Sequence, residues 1–563
     1  MNRNLTGIRH AFLNNREFVF AFAAVFVISC FPLFQNVVIA GDDLPYHLLR
    51  IESIKEGILA GYLPVKINPV FFNGYGYGSS LFYPDLFLYI PAFFRIIGMG
   101  IAASYNLFIM ITAAAGFCTA YYCGYGISKN KIAAAVVAVL FSLSQYHLQN
   151  MYTRAALGEI QAYMFMPLIV YGFYDLAYGK FEKPLLLIAG FAGLMYCHIL
   201  SLEITLVLFI VLFLIHIKKI AAQPGQLKKL LICAAVTLGL TCSFWAPFLE
   251  QTVSGTFLFQ TAAADASGMA VSLKTIFSNS YELLLNKCSF GLLIPALCAL
   301  RFFLIGPKCG KTEKRIIDLC LITGFALLFA ASDLFPWRWM PVALQSIQFP
   351  WRLYAYASLF LSAAVGLMFY TVIPKRFQTM ALVLLIALAG SFAVYINVNT
   401  TVERREIPNG YYLTVGNTYP NNGFEYFPSG ISPDEFMQAS RTPGVIADGL
   451  QYLSYTQDGL RIEAQYGVPS GYIDFPLLYY KGYTAVLEED GGGTRPLEIL
   501  GGDSGTVRVF TNNISAHGTM IVDYTGTLVQ KLAYKANLAF LALLALYVLV
   551  KKTRQKRKNN SDR

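Results

Sequence analysis

The chain has 563 residues, of which 56% are hydrophobic and only 13% charged, whereas an ordinary soluble protein is about 25% charged. A mean hydropathy of +0.52 excludes a soluble enzyme, and 44 Phe with 36 Tyr exclude a disordered chain. The net charge of +11 does not mark a nucleic-acid protein, because the bases sit in short clusters between apolar runs and form no basic face interleaved with polar surface.

Arg3, Arg9 and Arg16 surround the start of the chain, so the N-terminus is expected to be cytoplasmic. The first apolar run, 17–40, is too long for a cleaved signal peptide and has no small-residue cleavage site before Gly41. A first outer loop, 41–100, follows and opens Gly41-Asp42-Asp43-Leu44-Pro45-Tyr46-His47-Leu48-Leu49-Arg50. Asp43 is a natural helix N-cap with Pro45 in the first turn. His47 and Arg50 then fall at i+4 and i+7, on roughly the same face. Two readings stay open. One is a capped interfacial helix with an ion pair; the other is acid/base work beside a phosphate. Asn73–Gly78 lacks the spacing of a phosphate loop and reads as a flexible aromatic turn near the lipid surface. Leu81–Gly100 is apolar but holds Pro84, Asp85, Pro91 and Arg95, so a re-entrant or interfacial segment is expected. The alternative is that it spans and that 132–150 does not.

Further spans are expected at 101–127, 132–150, 160–178, 184–200, 201–217, 230–249, 287–306, 316–332, 352–373, 378–398 and 532–550, about twelve in all. This threading places Lys129/Lys131, Lys180/Lys183, Lys218–Lys229, Lys308–Arg315, Lys375/Arg376 and the tail Lys551–Arg563 inside. The ionisable residues that are costly near a membrane then gather at the outer ends. They are His147, Arg154, Glu159, His198 and Glu203, followed by Asp333, Arg338 and Arg352 in a loop that also carries Gln345 and Gln348-Phe349-Pro350-Trp351. Each histidine taken alone reads as a satisfied interfacial residue, and Arg352 as a snorkelling one. Together they read as a mouth able to clamp a phosphate. Trp245, Trp337, Trp339 and Trp351 fall at outer ends, where an aromatic belt is expected and sugar stacking is the alternative. The outer loop Gln251–Asn286, with Lys274, could order over a lipid tail or be an ordinary mobile loop.

Residues 399–530 carry fifteen acids and seven bases, a net of −8, and none of the ten Cys. The rest of the chain therefore carries +11 + 8 = +19. Turn signals at Pro420–Gly423, Asp458-Gly459 and Asp490–Gly493 separate short alternating runs such as Val507–Phe510 and Met520–Tyr524. An extracytoplasmic β-sandwich-like domain of roughly eight strands is expected. It is either a spacer on the membrane domain or a lid that binds glycan or lipid. The expected organisation is a membrane core over 1–398, the β domain over 399–530, and a final span with a basic cytoplasmic tail over 531–563. The cysteines sit mostly inside apolar runs, and no CxxC or metal-spaced Cys/His cluster exists.

An N-terminal span followed by an acidic motif in a large outer loop resembles the GT-C superfamily of membrane glycosyltransferases. The stretches DLPYHLLRI, GYGYGSSLFYP, YTRAALGEIQAY, IQFPWR and FPLLYYKGY also look like a bacterial membrane-protein family labelled as related to 6-pyruvoyl-tetrahydropterin synthase, to which YfhO-type lipoteichoic-acid glycosylation proteins are similar. This resemblance covers about residues 15–550. Pterin-synthase chemistry would need a His-based zinc site in a soluble fold, and the sequence offers neither.

The GT-C resemblance implies a polytopic α-helical membrane protein that transfers a sugar from a polyprenyl-phosphate donor to an envelope polymer, lipid or glycan on the outer face of the plasma membrane. It implies Asp43 or Asp42 as the base for the acceptor hydroxyl, with Asp43 favoured for its register with His47 and Arg50. Arg352 and Arg154 are the candidates for the lipid phosphate, with Arg50 and His47 beside them. Glu159, His198, Glu203 and Gln348 are candidates for sugar or acceptor contacts. No metal ligands and no cofactor are expected beyond the lipid-linked donor, and no nucleic-acid partner. A lipid or polysaccharide flippase or exporter would need polar residues along a path across the membrane, yet the inner ends offer little beyond Asp175, His216 and Asp318. A non-catalytic envelope assembly protein is a third reading.

Overall fold

A computed structural model describes residues 15–261, 266–278, 287–304, 309–400, 404–405, 424–434, 436, 446–447, 452–466, 471–489, 492–511 and 518–561. Arg3, Arg9, Lys308, the turn expected at Pro420–Gly423, half of the one at Asp490–Gly493 and parts of the loop Gln251–Asn286 lie outside the described residues.

Among the described residues seven helices are long and apolar enough to cross a membrane: Arg16–Phe34, Ile101–Ser128, Ile199–Ala221, Gln226–Ser254, Pro350–Val372, Lys375–Asn399 and Leu528–Thr553. An eighth crossing is available if Lys131–Ser142 and Gln145–Arg154, bent by 43°, act as one span. The expected count of twelve is thus not reached among the described residues. Three of the missing four are short helices. Met166–Tyr178 has 13 residues, Pro184–Met195 has 12, and Leu293–Phe303 is also too short. At 1.5 Å per residue such helices reach about 20 Å, short of the roughly 30 Å hydrocarbon layer. Prolines at 167, 184 and 295 sit in their first turns, where a hydropathy window sees only apolar mass. The fourth, Lys311–Ala331, is long enough but carries Lys311, Glu313, Lys314, Arg315 and Asp318 in its first half. Leu81–Gly100 holds no helix long and apolar enough to cross: its longest apolar helix is Leu86–Ile96.

The chain divides into two compact units. The first comprises Met1–Leu44, Met99–Cys233 and Ala263–Ile407. Its centre is helix Lys131–Ser142, which is buried from Ile132 onward. That helix packs against Arg16–Cys30, Ile101–Ser128, Leu353–Val372 and Gln378–Thr400. Small residues allow this closeness, as membrane packing requires. A Cβ on Gly366 would lie 2.6 Å from Val137 and 2.8 Å from the Ala133 carbonyl.

The second unit comprises Pro45–Gly98, Ala234–Ala262 and Pro408–Arg563. Among its described residues are two antiparallel sheets. Five strands run in the order Tyr452–Asp458, Arg461–Tyr466, Gly518–Tyr524, Tyr483–Glu489, Thr494–Leu497. Four run Ile446–Ala447, Tyr472–Leu478, Thr506–Phe510, Ile499–Gly501. Alternating burial along Gly518–Tyr524 turns Met520 and Val522 inward with Ile462 and Leu487. The Asp458-Gly459 turn joins the first two strands with Gly459 at φ 59°. The aromatic segment Phe71–Tyr77 is a correction to the expected flexible turn. Tyr75 and Tyr77 are buried, and Phe72 stacks or meets edge-on with Phe424, Phe427 and Phe436. That ring cluster holds Phe72 and Asn73 at left-handed φ of 55° and 54°.

Within the four-stranded sheet Arg508 and Asp474 are cross-strand partners. Arg508 donates bidentately to the buried Asp474 carboxylate at 2.7 and 2.8 Å, over the Tyr472 ring. Replacing Arg508 by Met keeps the stem but leaves that carboxylate short of donors. We expect a loss of about 2 kcal/mol, read as roughly thirtyfold faster proteolytic cleavage between these strands in the full-length protein. An unchanged cleavage rate would show that water replaces the guanidinium without cost.

Candidate functional site

The densest polar cluster in the first unit is built on a helix irregularity. Residues Asn150–Arg154 form a π-helical turn in which the Ala155 N–H bonds the Asn150 carbonyl, five residues back. Ala155 then takes a left-handed conformation, φ 51° and ψ 38°, which ends the turn. Tyr146, Asn150 and Arg154 thus share one side of the segment.

Glu159, on the following helix Leu157–Ala162, is the hub. Its Oε1 accepts from Arg154 Nη1 at 2.9 Å and from Arg352 Nε at 3.0 Å. Its Oε2 accepts from Asn150 Nδ2 at 3.3 Å and from the Tyr146 hydroxyl. Arg154 Nη1 also reaches the Asn150 Oδ1 at 2.7 Å and the Tyr146 hydroxyl oxygen at 3.1 Å. Arg352 Nη1 donates to the Ile347 carbonyl at 2.7 Å and to Gln348 Oε1 at 3.0 Å. Gln348 itself is held at φ 61°. Phe349 lies between the two cations, 5.8 Å from the Arg154 guanidinium and 4.8 Å from that of Arg352, and stacks on Trp351 at 4.8 Å. Glu159, Arg154 and Arg352 are all buried. Burial by itself would raise the Glu159 carboxyl, but the two guanidiniums hold it well below its usual range.

The aspartates of the first loop are tied to this turn through the backbone. The Asp42 N–H donates to the Thr153 carbonyl at 3.2 Å and the Asp43 N–H to the Arg154 carbonyl at 2.8 Å. Asp43 immediately precedes helix Leu44–Leu59. Burial pushes its carboxyl up to about 6; Arg154 opposes this, Asp42 adds to it, and Arg352 opposes it more weakly. Asp42 is also raised by burial and lowered by Arg154. The ladder depends on Gly41, because a Cβ there would stand 2.7 Å from the Ala155 Cβ and 3.0 Å from its nitrogen. Gly41→Ala is expected to push the strand away and to speed exchange of the Asp42 and Asp43 amides about tenfold or more. Ala155→Gly in the same chain should recover part of that protection. Unchanged exchange in the single variant would mean that the loop yields without breaking the ladder.

The structure therefore brings Asp42, Asp43, Arg154, Glu159, Arg352 and Gln348 together. His198 lies close enough to interact electrostatically with Glu159 and both arginines. Its Nδ1 caps helix Ile199–Ala221, 2.7 Å from Ser201 Oγ and accepting from the Ser201 N–H at 3.2 Å. Glu203 is one link further away, accepting from Ser346 Oγ at 2.7 Å. His147 bonds the Ser142 carbonyl through Nδ1 at 2.8 Å and stacks on Tyr163 at 4.1 Å, a buried core histidine. His47 and Arg50 belong to the second unit. There Arg50 is 2% exposed, and its Nη2 donates to the carbonyls of Tyr83 at 3.1 Å and Pro84 at 2.9 Å, with the guanidinium 4.3 Å from the Tyr83 ring. His47 is buried 5.5 Å from the Tyr46 ring. Trp351 is not part of a lipid-facing belt: it is 3% exposed, and its stacking partner bridges the cations.

Sequence reasoning missed Tyr146 and Asn150, although their spacing marked them, since 146, 150 and 154 recur every four residues. Phe349 was named only as part of the loop Gln348–Trp351, and no local signal marks its contact with both guanidiniums. Among the described residues no three His, Cys, Asp or Glu side chains converge to hold a metal ion.

A family model described as a 6-pyruvoyl-tetrahydropterin synthase related domain, a membrane protein, matches residues 81–401. The chain belongs to this family. The matched segment of the family contains Arg154, Glu159, Gln348 and Arg352, whereas Asp42 and Asp43 precede it. An uncharacterized protein of Lactococcus lactis subsp. cremoris is 25% identical over 257 residues, which is 43% of this chain and 41% of that protein. Among solved structures, the Archaeoglobus fulgidus oligosaccharyltransferase tethered to an acceptor peptide superposes with a TM-score of 0.36 at 14% identity, over 75% of this chain and 61% of that one. Its apo form gives the same TM-score and identity over 76% and 64%. The chain thus spans about two fifths of the curated relative and about three fifths of the solved one. A superposition of this extent does not define a common fold.

Proposed function

We propose that this family member is a membrane glycosyltransferase that uses a polyprenyl-phosphate-linked sugar as donor and an envelope glycan, lipid or polymer as acceptor. One observation carries the reading: a carboxyl poised near pH 6, Asp43, is fixed by its own backbone to the carbonyl of Arg154, whose guanidinium belongs to a two-arginine cluster. A base and a phosphate clamp in one rigid frame are the two groups that such a transfer needs.

In this mechanism Asp43 accepts the proton of the acceptor hydroxyl as that oxygen bonds to the anomeric carbon of the donor. The bond from that carbon to the phosphate oxygen breaks, and the lipid phosphate leaves with its electron pair and charge. Arg154 and Arg352 hold that charge through the N–H groups that Glu159 does not occupy. Glu159, kept ionised, acts as a positioning residue that holds both guanidiniums in place. In this reading Gln348, His198 and Glu203 contact sugar or acceptor hydroxyls.

The test is a transfer assay on the full chain reconstituted in lipid. It offers a panel of polyprenyl-phosphate sugars and envelope polymers, with Asp42→Asn/Asp43→Asn as the blank. Product that depends on the carboxylates is the expected result, and folded protein that yields none with any donor would overturn the reading. The pH profile adds a second check. The base form of Asp43 is lost as pH falls through about 6, so transfer should drop about tenfold per unit below that point. Stability runs the other way. A folded pKa above the unfolded value binds the proton more tightly in the native state, so this group's contribution is present at low pH and is lost as pH rises from about 4 through about 6.

A further inference from the structure

Away from the Glu159 cluster, three helices of the first unit bring a separate set of polar side chains together at their base-rich ends. Tyr178 closes helix Met166–Tyr178, His216 and Lys219 lie near the end of Ile199–Ala221, and Arg315 lies in the first turns of Lys311–Ala331. His216 Nδ1 donates to the Leu212 carbonyl at 2.9 Å, which leaves Nε2 to accept the Tyr178 hydroxyl at 2.8 Å. The fixed ring then receives the Lys219 ammonium, 3.7 Å from its centroid. Arg315 arrives from the third helix, close enough to interact with both Tyr178 and Lys219.

Two cations from different helices thus lie within electrostatic reach of each other, and Asp175, Glu313 and Asp318 are engaged elsewhere. Asp175 Oδ2 accepts the Lys183 N–H at 2.7 Å, Glu313 accepts the Tyr370 hydroxyl, and Asp318 takes Arg301 bidentately at 2.7 and 3.2 Å. Asp318 sits three residues beyond Arg315, a spacing that allows an ion pair, yet it turns to Arg301 instead. Repulsion between Lys219 and Arg315 is relieved by an anion between them. Next to the cations the same helices present bare apolar side chains: Leu214 is 59% exposed, Ile215 63% and Ile322 68%. A polar anion flanked by hydrocarbon is the profile of a lipid.

We infer that Lys219, positioned on the Tyr178 ring, and Arg315 form a binding site for the phosphate headgroup of an anionic membrane lipid, whose acyl chains lie along Leu214, Ile215 and Ile322. Clustered Lys and Arg side chains at the membrane surface attract such headgroups electrostatically. The site is independent of the transfer reaction and needs no turnover to be detected.

The test is native mass spectrometry of the full chain released from nanodiscs of phosphatidylcholine with phosphatidylglycerol. The wild type should retain phosphatidylglycerol preferentially, and Lys219→Gln/Arg315→Gln should cut that retention about tenfold or more. Lys228→Gln/Lys229→Gln removes the same charge from a neighbouring basic cluster and should leave retention unchanged. Equal retention in wild type and Lys219→Gln/Arg315→Gln overturns the site, and so does an equal loss in both double variants, which would mean diffuse attraction. Displacement of the lipid by millimolar inorganic phosphate would show that the cations take a free anion, and would overturn the lipid assignment.

Discussion

Asp43→Asn is expected to remove transfer by about 10²–10⁴-fold while the protein still folds, and Asp42→Asn to cost far less. The asymmetry follows from position. Both aspartates are tied to the π-helical turn through their backbone, so an amide side chain at either one leaves the ladder intact. Asp42 is exposed, and Arg154 is the one cation opposing its burial; Asp43 is half-buried and feels Arg154, Arg352, Asp42 and Glu159 together. Burial raises the Asp43 carboxyl to about 6, with Arg154 the strongest charge opposing it. The Asn variant should also lose the pH dependence of stability between about 4 and 6, which a merely structural aspartate near its ordinary value would never have shown. Full activity in both single variants and in the double variant would end the assignment of a carboxylate base.

Glu159→Gln is expected to have the largest effect on stability. The carboxylate neutralises two buried guanidiniums, and an amide of the same shape would leave both facing each other in a dry site. Breaking a buried ion pair from one side costs about 3–5 kcal/mol, a large share of the roughly 5–15 kcal/mol that holds an ordinary domain together. The thermal unfolding midpoint should therefore fall clearly, and Glu159→Gln/Arg352→Gln should recover part of the loss by removing the stranded charge. Acidification should act in the same direction as the mutation. The folded carboxyl is held below its unfolded value, so its contribution is present above the unfolded value and is lost as pH falls through the folded one. A midpoint equal to wild type in the single variant would show that the cluster adds no net stability.

Asp43, Arg154, Glu159 and Arg352 were legible in the sequence for one reason. Ionisable residues beside apolar runs are costly, so their presence points to a use. Their mutual pairing was not legible, because Glu159 and Arg352 are 193 residues apart and meet only when helix Leu353–Val372 packs on Lys131–Ser142. Register arguments carried the reading too far at Arg50. The i+7 spacing from Asp43 is real, but the guanidinium is taken up by the carbonyls of Tyr83 and Pro84, whose positions depend on an irregular loop. Mean hydropathy over a window found every apolar stretch and could not see where 160–178, 184–200 and 287–306 break into short helices. The Asn73–Gly78 segment misled in the opposite sense. Glycine and tyrosine in alternation suit a loose surface turn, and only the distant rings at 424, 427 and 436 turn it into core.

The π-helical turn at Asn150–Arg154 makes chain length itself a determinant of the site. In a regular α-helix, steps of four residues drift by about 40° each, so Tyr146, Asn150 and Arg154 would fan out over about 80°. The widened turn takes up that drift and lets all three address one carboxylate. A chain shortened by one residue among 151–153 would keep every charged group discussed above and still rotate Arg154 away from Glu159 and from the aspartate loop. Loss or gain of activity among related chains can thus be written in single-residue insertions and deletions, where a tally of matching side chains would register no change.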